Sequence, residues 1–190
     1  MTTATNLKAS GILNGIDLDY LGQTIAAIKE DPAKAMTNFR VTSTWQGQTV
    51  SETKVESYMI GGEEVKREFK FRVDEPLELC GTNTNPNPQE YLMGALNACM
   101  MVGYVAACAL NGIKLEKLAI ETAGDIDLRG FLAIDQHTIP GYDQISYTVH
   151  IKGDGTPEQF EQIHNFVKKT SPNYYNIASA ISLNSQLVVE

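Results

Sequence analysis

The 190 residues are enough for one ample core, and a single domain is the default at that length. Fifteen basic residues against 23 acidic ones leave a net charge of −8, which argues against nucleic acid and against docking on anionic lipid. No basic amino terminus leads into a short apolar run, so no signal peptide is read and the chain is expected to be cytoplasmic.

Along the chain, the first dozen residues carry little pattern and are expected to be loose. Residues 17–30, DLDYLGQTIAAIKE, place Leu18, Leu21, Ile25 and Ile28 at helical spacing, and Asp31-Pro32 closes that helix. Three strand-like runs follow at 39–46, 49–60 and 64–73, with tight turns at Gln46-Gly47-Gln48 and Gly61-Gly62, so an antiparallel meander is expected. In the third run Val65, Arg67, Phe69, Phe71 and Val73 share one face, which places the interrupting Arg67 near a strand end or an edge. The loop LCGTNTNPNP leads into a long helix, with Asn87 as cap, Pro88 at the first position and Glu90 in the first turn. Asn111-Gly112 terminates it. Strand-like stretches at 114–128 and 143–152 precede a helix that opens on the capping box Thr156-Pro157-Glu158-Gln159 and runs to about Lys169. Ser171-Pro172 breaks that helix, a short helical piece follows, and SQLVVE reads as a final strand. The pattern is that of an α+β fold with no repeat and no dividing linker. It is read as one domain over 1–190, with 1–36 as an N-terminal extension containing a short helix.

From Tyr91 to Leu110 there are twenty residues, and Asn97 is the only strongly polar one. That is the length of a membrane span. The flanks lack the charges of one, the first cation after it being Lys114, and the rest of the chain patterns as a globular domain. A helix apolar on all sides is then expected to be a central buried helix rather than a membrane segment.

Several motifs fail on inspection. Asp125-Ile126-Asp127-Leu128-Arg129-Gly130 imitates a calcium loop, but its fifth position is Arg and its twelfth is Gln136. His137, His150 and His164 lack metal-ligand pairing, and neither a phosphate-cradling loop nor a serine-hydrolase elbow is present. No metal and no cofactor is expected. Three cysteines, Cys80, Cys99 and Cys108, form neither a disulfide scaffold nor a CxxC pair. Cys99 and Cys108 lie nine residues apart on the long helix, at about 100° per residue, and so point in roughly opposite directions. Gln89 lies ten residues before Cys99, about 80° around the same helix. A reactive Cys99 needs a nearby cation, because it sits some three turns from the positive end of its helix.

The stretches GTNTNPNPQEYLMGALNAC, GIKLEKLAIETAGDIDLRGF and KKTSPNYYNIASAI resemble the osmotically inducible protein C / organic hydroperoxide resistance (OsmC/Ohr) family, and within it the OsmC-like branch. The resemblance covers roughly residues 37–190. It implies antiparallel sheets wrapped around two central helices in an intertwined homodimer, with active sites at the subunit interface. In the peroxidase members a helix cysteine attacks a hydroperoxide and becomes a sulfenic acid, which a second cysteine resolves; an arginine and a glutamate activate the first thiol. Carried over, the attacking position is Cys99, the resolving position falls on Ser171 and the glutamate position on Gln89. Gln48-Thr49 stands where the arginine is expected, leaving Arg40 and Arg129 as substitutes, with Arg40 the preferred one, and Cys80 as an improvised resolving partner. The catalytic candidates are therefore Cys99, Arg40, Gln89 and Ser171. The function expected is a weak, thiol-dependent reduction of organic hydroperoxides relying on an external thiol. The alternative is a non-catalytic dimer that binds a small apolar ligand in its interface pocket.

Overall fold

The computed structural model describes residues 10–190, so the expectation of a loose beginning falls mostly outside it. The described chain forms two compact units, Ser10–Gly94 and Ala95–Glu190, taken in turn.

The first unit opens on a small hairpin that the sequence reading passed over. Strands β1 (Ile12–Leu13) and β2 (Ile16–Asp17) pair antiparallel around Asn14-Gly15, both at positive φ as a two-residue hairpin turn requires. Helix α1 (Leu18–Glu30) starts where the Asp17 carboxylate accepts the Tyr20 N–H at 2.9 Å, and it stops at Asp31. The expected meander follows, with its first run in two pieces. β3 (Thr37–Phe39) and β4 (Thr42–Trp45) both pair with β5 (Ser51–Ile60), which pairs on its other side with β6 (Glu63–Val73). The break arises because Phe39 faces Tyr58 while Thr42 faces Lys54, three steps on one strand against four on the other. Gly61 and Gly62, at φ 56° and 86°, close the β5–β6 hairpin.

Arg67 does lie on an edge strand, at a bulge between the Val55–Phe69 and Ser57–Lys66 pairs. Its guanidinium rests 4.7 Å above the Tyr58 ring.

After β6 the chain winds around a single carboxylate. Asp74 is fully buried and accepts from the Thr49 hydroxyl at 2.7 Å, the Thr82 amide and hydroxyl, and the Thr84 amide. Those donors, the Thr82 hydroxyl first and the Thr49 hydroxyl next, hold its pKa far below the usual carboxylate range. Gly81 is required here: a Cβ on it would lie 1.7 Å from the Glu75 carbonyl oxygen. The loop then delivers α2 (Pro88–Leu110) through a reciprocal cap, Asn87 Oδ1 accepting from Glu90 N at 2.9 Å and Glu90 Oε2 from Asn87 N at 2.7 Å.

The second unit is built on α2 from Ala95 onward, the long hairpin of β7 (Leu115–Ile126) and β8 (Tyr142–Gly153), and helices α3 (Leu128–Phe131), α4 (Pro157–Thr170) and α5 (Pro172–Ala178). Its core joins Leu96, Met100, Tyr104, Ala107 and Cys108 of α2 to Ile113, Ile120 of β7, and Ile163 and Val167 of α4. Gly103 lets α4 close in, since a Cβ there would meet both Val167 methyls at 3.2 Å. At the end of α2 the Gly112 N–H bonds Ala109 O, and Asn111 Nδ2 bonds Ala107 O. The capping box at Thr156 and Gln159 forms as read.

Three expectations need correction. Burial of α2 on all sides does not hold within the described protomer, where Ala95, Ala98 and Val102 are exposed, Val102 to 68%. The stretch around DLRGF does not continue its strand: β7 ends at Ile126, and the Asp127 side chain accepts the Arg129 N–H to start the one-turn α3. SQLVVE forms no strand: no sheet edge pairs with it among the described residues, and Leu187, Val188 and Val189 project into solvent.

Candidate functional site around Cys99

Cys99 sits in the middle of α2, half-buried, and the turns on either side of it are tied down by side chains. Two residues before it, Asn97 donates to the Ile120 carbonyl at 3.2 Å and accepts from the Thr122 hydroxyl at 2.6 Å, which fixes this face of α2 to β7. The one strongly polar side chain of the apolar run is thus an anchor with its polar atoms paired.

Across from Cys99 is Ser171, the joint between α4 and α5. Its amide caps the last turn of α4 by bonding Val167 O, and its hydroxyl oxygen accepts the Tyr174 N–H at the start of α5. That same hydroxyl lies 3.3 Å from the Cys99 sulfur as a donor and is only 5% exposed. Two residues on, Asn173 Nδ2 donates to the Ala95 carbonyl at 2.9 Å. Of the four candidate residues, Cys99 and Ser171 are therefore brought together, 72 positions apart in sequence.

Arg40 and Gln89 belong to the Ser10–Gly94 unit. Arg40 is committed there, its guanidinium 2.7 Å from both the Glu64 carboxylate and the Ser57 hydroxyl. Gln89 occupies the first turn of α2. Arg129, the other arginine considered, forks onto Asp127, and this pairing brings the Asp127 pKa down to about 2. Thr49, standing where an activating arginine is expected, has its hydroxyl engaged by Asp74.

The other thiols contrast with Cys99. Cys108 is fully buried in the α2 core, and burial pushes its pKa up to about 11. Cys80 is exposed in the first unit at φ 63°, a left-handed conformation. Among the described residues no three His, Cys, Asp or Glu side chains gather closely enough to hold a metal ion.

Sequence reading missed Asn173, whose partner is a backbone carbonyl on another helix, and the pair of buried Tyr104 and half-buried His164, joined at 2.5 Å between Oη and Nδ1. A polar residue inside an apolar face was the available signal for Tyr104, but it does not name the partner. In chemical terms the Cys99 site offers a half-buried sulfur with one hydroxyl donor aimed at it.

The model of the OsmC-like protein family matches residues 81–186. Solved structures repeat the fold. An OsmC-like protein from Mycoplasma pneumoniae is 15% identical over 74% of this chain and 87% of its own, with a TM-score of 0.57. A candidate osmotic stress induced and detoxification response protein from Psychrobacter arcticus is 13% identical over 70% and 84%, with a TM-score of 0.52. An OsmC-like protein of unknown function from Vibrio cholerae is 14% identical over 73% and 92%, with a TM-score of 0.50. No curated protein matches the sequence. With the family model spanning more than half of its length and the α+β fold in agreement, this chain belongs to the OsmC-like protein family.

Proposed function

We propose that this protein is a one-cysteine redox protein that reduces organic hydroperoxides slowly, with Cys99 as the attacking thiol and an external thiol as reductant. The observation that carries the reading is the contact between Cys99 and Ser171: the residue facing the sulfur is a hydroxyl donor, which cannot close a disulfide. The Cys99 thiolate attacks one oxygen of the O–O bond; an S–O bond forms, the O–O bond breaks, and the alkoxide leaves as the alcohol after taking a proton. The resulting sulfenic acid condenses with an external thiol, releasing water and leaving a mixed disulfide. A second thiol then frees Cys99 and departs as the external disulfide.

The working unit is proposed to be a homodimer. Ala95, Ala98 and Val102 leave an apolar stripe uncovered along α2, and a second copy covering it would bury the helix that the sequence marks as a core element. The test is consumption of an organic hydroperoxide with a small dithiol as reductant, wild type beside Cys99→Ala. Slow turnover lost in the variant supports the proposal; turnover that survives Cys99→Ala puts the chemistry elsewhere. No turnover in either, together with saturable binding of an apolar probe, favours a binding role without redox chemistry.

A further inference from the structure

Every polar group of Ser171 has an assigned partner, and this assignment determines where its hydroxyl proton goes. The backbone N–H donates to Val167 O at 2.9 Å, and the backbone carbonyl accepts from Tyr175 N at 3.0 Å. The hydroxyl oxygen accepts the Tyr174 N–H at 3.4 Å. An amide can only donate, so one lone pair of the oxygen is used and the hydroxyl proton is left for an acceptor. The side chain is almost wholly shielded from water, and among the described residues the acceptor its hydroxyl reaches is the Cys99 sulfur, at 3.3 Å.

Asn173 supplies a second point of attachment. Its amide donates to the carbonyl of Ala95, and in an α-helix the carbonyl four residues back is the one that receives the amide of Cys99. The start of α5 is thereby bonded to α2 one turn before Cys99, while Ser171 reaches the sulfur itself. Sliding or tilting α5 would stretch both bonds together, so the distance from Ser171 to the sulfur is set at two places.

We propose that Ser171 is a dedicated hydrogen-bond donor to the Cys99 thiolate and that Asn173 is the positioning residue that holds it in place, so that the serine activates the cysteine. This deepens the redox reading of Cys99 and rests on it. A donor of this kind favours the charged sulfur over the neutral thiol and is stronger than a bond between neutral groups. It also suits the sulfenate, whose negative charge presents an acceptor to the same hydroxyl.

The experiment follows alkylation of Cys99 by iodoacetamide, read by peptide mass spectrometry in a Cys80→Ser background so that the exposed thiol does not consume reagent. Near neutral pH, Ser171→Ala should slow alkylation by about ten-fold, and Ser171→Thr, which keeps both hydroxyl and cap, should restore it. Asn173→Ala should give a smaller slowing. At strongly alkaline pH, where thiols ionise without help, all variants should converge. An unchanged rate in Ser171→Ala near neutrality would overturn the proposal. So would an equal slowing at both pH values, the signature of a merely structural serine. Should Ser171→Ala unfold, the Asn173→Ala and Ser171→Thr pair decides by the same criterion. The redox reading fails separately: the alkylation ranking can hold while wild type consumes no hydroperoxide, and that result would leave Ser171 as a thiolate donor in a protein of another activity.

Discussion

The hydroxyl of Tyr104, 1% exposed, is hydrogen-bonded to Nδ1 of His164 at 2.5 Å, joining the face of α2 turned to the core to the middle of α4. The histidine takes the donor or the acceptor role in this bond according to its tautomer. Tyr104 from α2 and Tyr147 from β8 flank its ring, and Lys168 and Glu161 lie on its own helix. Burial first, and the Lys168 charge second, lower its pKa from the ordinary 6.5. A histidine depressed in this way binds its proton more readily unfolded than folded. Its stabilising contribution is complete above the unfolded value and is lost as pH falls through it towards the folded one. Urea unfolding of wild type should therefore show lower stability below the ordinary histidine range than above it. His164→Gln should flatten that dependence. Tyr104→Phe, which leaves the His164 Nδ1 without its partner, should cost about 1–3 kcal/mol.

Asp74 titrates in the same sense, further towards the acid end. Its folded pKa lies far below the ordinary 3.8, so the stability it contributes is full above that value and declines as pH drops below it. Asp74→Asn turns an amide N–H₂ towards hydroxyl and amide donors and should lower the urea midpoint clearly at neutral pH. Titrating both proteins downward should bring their midpoints together below the carboxylate range; a gap that stays constant with pH would mean that the charge plays no part.

Gly81 makes a sharper structural test of the same loop. With a Cβ placed 1.7 Å from a backbone oxygen, Gly81→Ala cannot be accommodated by a rotamer change. It should cost more than about 2 kcal/mol by chemical denaturation. An unchanged midpoint would show that the Glu75 backbone can move aside freely.

The three thiols should separate by reactivity. Time-resolved alkylation should label exposed Cys80 first and half-buried Cys99 next, and Cys108, buried and with its pKa raised to about 11, only as the protein unfolds. Ser171→Cys places a second thiol beside the Cys99 sulfur. Mild peroxide should then yield an intrachain disulfide between Cys99 and the introduced thiol, seen as a non-reducing peptide crosslink, where wild type accumulates sulfenic acid.

What could be read from the sequence follows from how far each signal reaches along the chain. The caps at Asn87 and at Thr156 with Gln159 were legible because each bonds within three residues of itself. The pair Gly61-Gly62 marked the β5–β6 turn for the same reason. DLRGF misled because the alternating pattern runs on past Ile126, whereas Asp127 captures the next-but-one amide and bends the backbone into a helical turn. The tail SQLVVE has a strand's side-chain pattern, but a strand needs an edge to pair with, and pattern alone cannot supply one. At the site, Cys99 and the position of Ser171 were reachable through the family resemblance, but not the hydrogen bond between them. The serine hydroxyl aimed at the sulfur, the Asn173 tether and the Tyr104–His164 pair all join residues at least 60 positions apart.

The joint at the end of α2 has a chemical consequence over long storage. In an open chain Asn-Gly is the dipeptide most prone to deamidation, because the glycine nitrogen can swing onto the asparagine side-chain carbonyl and close a succinimide. Here the Gly112 nitrogen is held 3.0 Å from Ala109 O, and the Asn111 amide is held 2.8 Å from Ala107 O. Neither partner is free to make the attack while the helix end is formed. Isoaspartate at position 111 should then accumulate in proportion to the time this joint spends open, so an ageing sample carries in that one residue a record of how often α2 has frayed.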